Sequence, residues 1–337
     1  MSRDVNRRVV LARRPTQAPR LDDFRLEQAP VRQPGAGELL VANRILSIDP
    51  AIRGFLDDRD SYLPPVALGA VVRAMTLGEV VSSRNPGIPE GAVVRALAGW
   101  EEFSILPADA IGLEVVRTVP GVPLESYMGA LGPAGLTAWI GLNEIAHIER
   151  GQTVLVSAAA GAVGHVAGQI ARLQGCRVIG LSSSQDKLEQ LLSLRFDAAL
   201  NYRQTPDLAA ALREHCPQGI DVYFDNVGGA ILELVLPLMK VHGQVVACGM
   251  VSDYNHQSDP YPVKTLWQLV VKRLTLRGFL TYDHPERIPQ AQAQLQEWVA
   301  SGALRPLHNV RSGVENAPAA LIEMLSGRTV GKTLVRI

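Results

Sequence analysis

The stretch VLVSAAAGAVGHVAGQIARLQGCRVIGLSSSQDK, Val154–Lys187, sets the reading of the chain. It starts as an apolar, β-branched run and passes through a turn of small residues, Ala159-Ala160-Gly161-Ala162-Val163-Gly164. Apolar residues then recur at helical spacing, and a second apolar run, RVIGL, ends in three serines. Strand, turn, helix, strand is the grammar of a βαβ unit. The turn matches G-x-G-x-x-G at its second and third glycines, Gly161 and Gly164, with Ala159 at the first. The second glycine lets backbone approach a pyrophosphate, and the third lets helix and strand pack closely. The helix start adds unpaired N–H groups and a partial positive charge, with Ala162 and Val163 in the turn. Small residues also suit a strand that turns tightly into a helix with no ligand at all. The βαβ setting favours dinucleotide binding.

The serines bear on which dinucleotide. An NAD-type unit carries Asp or Glu about 20 residues after the turn, where it holds the ribose hydroxyls. Here that position reads Ser182, Ser183, Ser184, followed by Lys187. An acid would repel a 2′-phosphate, whereas serines and a lysine would bind one. Asp186 reads better as an acid in the first turn of the next helix. The alternative is an N-capping serine beside an ordinary surface lysine. NADPH is expected over NADH.

Outward from this stretch, strands and helices alternate from Thr153 to about Leu280, which implies a parallel, doubly wound sheet. Residues 7 to 117 instead read as short Val-, Ile- and Leu-rich strands broken by Pro and Gly, an antiparallel, barrel-like unit. From about Pro289 a helix is expected with Leu295, Trp298 and Val299 on one face, and GKTLVRI closes the chain as a strand. Trp139 and Trp298 read as core. His165 reads as a surface or cofactor-adjacent histidine, His242 as solvated, and Cys248 as a buried thiol at a strand end.

A chain of 337 residues is long enough for two domains. Lys plus Arg and Asp plus Glu are both 33, so no charge footprint points to nucleic acid or an anionic membrane. No apolar run approaches the roughly 18 residues of a membrane span. Three cysteines make no disulfide framework, which favours a reducing compartment, and a cytoplasmic protein is expected. Neither Cys nor His occurs before His147, which argues against a zinc site in the N-terminal part.

Several motifs carry a family resemblance over essentially the whole chain. They are LSIDPAIRG (Leu46–Gly54), GWEEF (Gly99–Phe103), GPAGLTAWIGL (Gly132–Leu142), VYFDNVGG (Val222–Gly229), CGMVSDYN (Cys248–Asn255) and VGKTLV near the end. The chain resembles the zinc-independent branch of the medium-chain dehydrogenase/reductases: prostaglandin reductases, leukotriene B4 12-hydroxydehydrogenases and 2-alkenal reductases. The resemblance implies an α/β fold, a GroES-like β-barrel domain plus an inserted Rossmann domain with a doubly wound parallel sheet. The boundaries expected are 1–126 for the first part of the catalytic domain, 127–288 for the NADP-binding domain, and 289–337 for the return. It further implies that Gly161 to Gly164 line the pyrophosphate and that Lys187 and Tyr202 hold the 2′-phosphate. Asn226, the run Cys248, Gly249, Met250, Val251, Ser252, and Phe279, Leu280 and Thr281 match cofactor contacts, as does Thr329. Tyr254 matches a tyrosine near the nicotinamide ribose and substrate. A homodimer is implied too.

The activity implied is NADPH-dependent reduction of the C=C bond of an enal or enone, by hydride transfer to the β-carbon. Tyr254 is then the candidate donor to the developing enolate oxygen, and the other reading makes it a loop residue packed on the cofactor. The chain departs from the family at Ala51, where a pocket tyrosine is usual, and at Thr329, often Asn. Arg53 matches a family arginine whose role is structural or functional. The loops Asp57–Pro65 and Tyr254–Thr265 are expected to wall the pocket. The alternatives are an NADPH quinone oxidoreductase and a nucleotide-binding regulatory protein with little turnover.

Overall fold

The computed structural model describes residues 4–59, 61–255 and 259–337, so residue 60 and residues 256–258 of the two expected pocket loops lie outside it. The chain divides into two compact units. One holds Met1–Met128, Asn309–Thr329 and Thr333–Ile337; the other holds Gly129–His308 and Val330–Lys332.

The first unit begins with β1 (Val5–Leu11) and β2 (Phe24–Pro30), an antiparallel pair. There follow β3 (Leu39–Ser47), a short helix α1 (Ile52–Phe55), β4 (Arg73–Ser83), β5 (Val93–Gly99), β6 (Phe103–Leu106) and β7 (Glu114–Val115). The second unit then supplies α2 (Pro133–Ile140), β8 (Thr153–Val156), α3 (Gly164–Leu173), β9 (Arg177–Ser182), α4 (Gln185–Ser193) and β10 (Ala198–Asn201). It continues with α5 (Leu208–His215), β11 (Ile220–Asp225), α6 (Gly229–Val235), β12 (Met239–Ala247), α7 (Gln268–Val271), β13 (Thr275–Gly278) and α8 (Ile288–Ala300). The closing elements are β14 (His308–Ser312), α9 (Ala317–Leu325) and β15 (Lys332–Arg336).

Among the described residues, the first unit's larger sheet runs β14-β15-β3-β4-β5-β7, with β6 on β3. The tail joins this unit because it completes the core. Ala317, Ala320 and Leu321 of α9 and Val335 of β15 are buried in one cluster with Val9, Leu46, Ile48 and Trp100. The expected return at 289 is corrected to Asn309. Helix α8 stays with the second unit: its Ala291 and Leu295 are fully buried, and Trp139 Nε1 donates to Gln294 Oε1 at 2.6 Å. Trp139 is core as expected, whereas Trp298 is only half-buried, so the buried stripe of α8 runs through Ala291 and Leu295.

The second unit's sheet is ordered β10-β9-β8-β11-β12-β13, and the strand pairs are parallel. From β8 the chain winds outward to β9 and β10, then crosses back to β11 and winds the other way. The switch point therefore lies between β8 and β11, and in such sheets ligands bind at the carboxyl ends of the strands there. β8, covered on both faces, is buried at all four residues, the pattern of a central parallel strand.

Candidate functional site

The glycine turn leaves the carboxyl end of β8 and enters α3. Ala159 N–H donates to Leu181 O at 2.9 Å, and Gly161 N–H to Ala158 O at 2.8 Å. A Cβ at Gly164 would lie 2.4 Å from Ala158 O, so only glycine lets helix and strand approach this closely. A Cβ at Gly161 would meet nothing but Ala158 O, at 3.1 Å, which leaves that face open to a ligand. No side chain caps α3, and His165 and Val166 N–H turn back to Gly161 O and Val163 O, so the amides that suit an anion are those of Ala162, Val163 and Gly164.

His165 corrects the surface expectation, being 1% exposed. Its Nδ1 lies 2.7 Å from Gly161 O, and its Nε2 accepts from Leu307 N–H at 3.1 Å. Burial pulls its pKa down to about 4, against the opposing effect of the Gly161 carbonyl and with repulsion from His308. The ring is therefore neutral, with its proton on Nδ1.

At the ends of β9 and β10, Ser182 and Lys187 are buried and Ser183 and Ser184 are half-buried. Ser184 sits at the N-cap of α4 but makes no side-chain capping bond, and Lys187 is no ordinary surface lysine. Burial holds the Lys187 ammonium below its usual pKa, and Arg203 adds repulsion. Tyr202 N–H donates to Ser182 O at 3.1 Å, and the Arg203 guanidinium lies 5.8 Å from the centre of the Tyr202 ring. Arg203 escaped the sequence reading; the signal was a second cation directly after Tyr202.

On the other side of the switch point, the exits of β8, β11 and β12 are stitched together. Asp225 is buried, and its Oδ1 accepts from Ser157 Oγ (3.0 Å), Tyr223 OH (2.7 Å), Val227 N (2.9 Å) and Gly228 N (2.9 Å). Asn226 Nδ2 donates to Ser157 O at 2.7 Å, which leaves its Oδ1 for other donors. Cys248 and Gly249 N–H both donate to Asp225 O, Val251 N–H to Asn226 O, and Ser252 N–H and Oγ to Val227 O. Cys248 is half-buried where a buried thiol was expected, and desolvation, with Asp225 nearby, pushes the thiol up to about 12. The Tyr254 phenol lies against the same turn. Burial raises its pKa, partly offset by the Met250 N–H directed at its oxygen.

Phe279, Leu280 and Thr281 follow β13. Thr281 Oγ1 is 3.0 Å from Thr137 Oγ1, which itself donates to Pro133 O at 2.8 Å. Thr137 has one hydroxyl proton, so Thr281 donates to it and is left an acceptor. Thr329 belongs to the other unit. Arg53 is buried in that unit, bonded to Asp57 Oδ1 at 2.6 Å and to Gln17 O at 3.2 Å, a structural role. Ala51 there lies partly buried against the core, and His242, in the second unit, is exposed within β12, with a left-handed backbone at φ 66°. Among the described residues, no three His, Cys, Asp or Glu side chains gather as a metal site, and no helix is long and apolar enough to cross a membrane.

The chain matches two family models, an N-terminal domain of oxidoreductase over residues 7–114 and a zinc-binding dehydrogenase over residues 162–297. It is 38% identical to a putative NADP-dependent oxidoreductase YfmJ of Bacillus subtilis, covering 98% of this chain and 97% of that one. It is also 38% identical to the NADPH-dependent curcumin reductase of Escherichia coli, and 35% identical to an NADP(+)-dependent 2-alkenal reductase of Nicotiana tabacum, each over 98% and 97% of the two chains. The structure of CurA from Vibrio vulnificus in complex with NADPH superposes with a TM-score of 0.91 at 34% identity, covering 98% of both chains.

Proposed function

Because the chain belongs to the zinc-independent medium-chain dehydrogenase/reductases and is an NADP-dependent oxidoreductase that uses NADPH, we propose that it reduces the C=C bond of α,β-unsaturated aldehydes and ketones. The observation that carries this reading is the row of groups along the carboxyl ends of β9, β8, β11 and β12, joined to full-length likeness to reductases of that substrate class. The open face of Gly161, the uncapped α3 and the buried Lys187 beside Ser182 suit the two phosphate positions of NADPH.

In this reading Gly161, Ala162, Val163 and Gly164 bind the pyrophosphate, while Ser182, Ser183, Lys187 and Tyr202, helped by Arg203, bind the 2′-phosphate. Asn226, the run Cys248–Ser252, and Phe279–Thr281 would hold the nicotinamide half. When bound, NADPH supplies a hydride to the β-carbon of the enone. Negative charge then gathers on the carbonyl oxygen, and a donor aimed there is worth about 10²–10³ in rate. Tyr254 is that donor: its phenol keeps its proton for the substrate and stays neutral because burial raises its pKa. Solvent protonates the α-carbon.

The functional unit is a homodimer formed through β13. Among the described residues that strand pairs only with β12 and is exposed at all four positions, and Leu276 and the apolar residues of neighbouring α7, Val270 and Val271, are exposed. An unpaired apolar edge is a template for a second strand. The three cysteines are free, which suits a reducing compartment such as the cytoplasm.

NADPH oxidation with 2-alkenals, aryl enones and a quinone, with NADH in parallel, tests the reading. Enone turnover with NADPH is expected. Turnover of the quinone alone would make the chain a quinone reductase, and binding without turnover would make it a nucleotide-binding protein.

A further inference from the structure

The imidazole of His165 bridges two backbone segments that are far apart in sequence. Toward the glycine turn, its Nδ1–H donates to Gly161 O at 2.7 Å. The backbone bond that closes the same turn, His165 N–H to Gly161 O, is longer, at 3.2 Å. Toward the other segment, Nε2 accepts from Leu307 N–H. One helical turn further along α3, Gln169 makes a reciprocal pair with Arg305: Arg305 N–H donates to Oε1 at 2.8 Å, and Nε2 donates to Arg305 O at 3.1 Å. Pro306 has no N–H, so the donors on either side of it are both taken up by side chains on one face of α3. Leu307 O in turn accepts from Lys332 N–H at 2.8 Å, and Gly331 N–H donates to Ala160 O at 2.7 Å. A Cβ at Gly331 would lie 2.2 Å from Leu307 O, so the contact is tight. Successive carbonyls of the glycine turn are thus gripped from two sides, Ala160 by Gly331 and Gly161 by His165.

We propose that His165 is a positioning residue for NADPH: its imidazole braces the glycine turn against Arg305–Leu307 and so keeps the amides of Ala162, Val163 and Gly164 aimed at the pyrophosphate. The proposal rests on the glycine turn being the pyrophosphate site. Without the ring, Gly161 O keeps only the long backbone bond and the half-buried Leu307 N–H loses its acceptor, so the turn loses the contact that fixes its carbonyl. Gln169 ties down the same segment without touching the glycine turn, which makes it the internal control.

The test uses the full chain and reads NADPH affinity by nicotinamide fluorescence, 2′-AMP affinity by competition, and thermal unfolding. 2′-AMP has the 2′-phosphate but no pyrophosphate. His165→Ala is expected to weaken NADPH roughly 3- to 10-fold, the range of a hydrogen bond between neutral groups, with 2′-AMP changed by no more than about twofold. His165→Asn restores a donor at the Nδ1 position and should recover most of the NADPH affinity at a lowered Tm. His165→Gln, which reaches Leu307 but not Gly161, should do the opposite, and this pair carries the test if the alanine variant does not fold. Gln169→Ala should lower Tm and leave NADPH affinity within about twofold. Unchanged NADPH affinity in His165→Ala, an Asn variant as weak as Ala, or equal losses for NADPH and 2′-AMP would each overturn the proposal. A Gly161→Val variant whose NADPH affinity survived the added bulk would instead overturn the reading of the glycine turn itself.

Discussion

β8 and β13 are four-residue parallel strands of one sheet, alike in how they begin and opposite in setting. β8, TVLV, is buried throughout between β9 and β11; β13, TLRG, is exposed throughout and, among the described residues, pairs only with β12. Both begin with Thr and an apolar residue, so position in the sheet decides burial where local pattern does not. Their carboxyl ends differ in the same way. The turn after β8 is gripped by Gly331 and His165, whereas the segment after β13 is tied to α2 by one hydroxyl pair. The difference teaches that this site has a rigid phosphate side and a looser side beyond it, and each prediction below strains one of the two.

The largest effect is expected where α3 packs behind β8. A Cβ at Gly168 would lie 1.9 Å from Phe196 Cζ and 2.5 Å from Cε1, and Phe196 is itself buried. Gly168→Ala should cost about 3 kcal/mol by overpacking, read as a fall in the urea midpoint, or leave no soluble protein. At the other end, a Cβ on Gly278 meets only Ala247 O, at 3.9 Å. Gly278→Ala should stay within about 0.5 kcal/mol of the parent, and an equal loss at both sites would erase the contrast.

The pH dependence probes the same rigid side. His165 has a folded pKa of about 4 against an ordinary value of 6.5, because burial disfavours its charged form and His308 adds repulsion. The unfolded chain therefore binds the extra proton first, and stability falls as pH drops from 6.5 toward 4. Across that window the loss from this one group is on the order of 3 kcal/mol. His165→Asn should flatten this part of the profile, measured by denaturant unfolding at several pH values. A slope unchanged in that variant would assign the effect to other groups.

Next in size is the ligand end of β9. Lys187→Ala removes the buried ammonium beside Ser182, and the NADPH affinity should fall by about 2 kcal/mol, with NADH nearly unaffected. The ratio of the two Kd values is the measurement, since a general loosening of the fold would weaken both cofactors alike.

These contrasts also mark how far the sequence can be read. The alternation of strands and helices, the turn at Gly161 and Gly164, and the Ser182–Lys187 pair were legible because each depends on residues close together in the chain. What stayed hidden depends on distant partners. His165 reads as a surface residue until Leu307, 142 positions away, supplies a donor to it. Thr137 gains meaning only from Thr281, 144 positions on. The return of the chain at Asn309, not 289, follows from Trp139 reaching Gln294 on α8, and no periodicity within α8 records that bond. Trp298 fits a helical stripe yet stays half-exposed, because the stripe that is covered is set by α2.

The smallest effect on the fold is expected at the free edge, and that smallness is what makes it informative. Leu276 in β13 is 38% exposed, so Leu276→Lys should change unfolding free energy by no more than about 0.5 kcal/mol. A lysine on an edge strand is a common device against edge pairing, because docking a second strand would bury its charge. If β13 is where two copies meet, the variant should sediment as a monomer at concentrations where the parent is a dimer, with an unchanged unfolding midpoint when both are measured as monomers. A parent that is already monomeric, or a variant that still dimerises, would detach the exposed edge from assembly. It would leave β13 as the plain counterpart of β8, a strand exposed simply because nothing covers it.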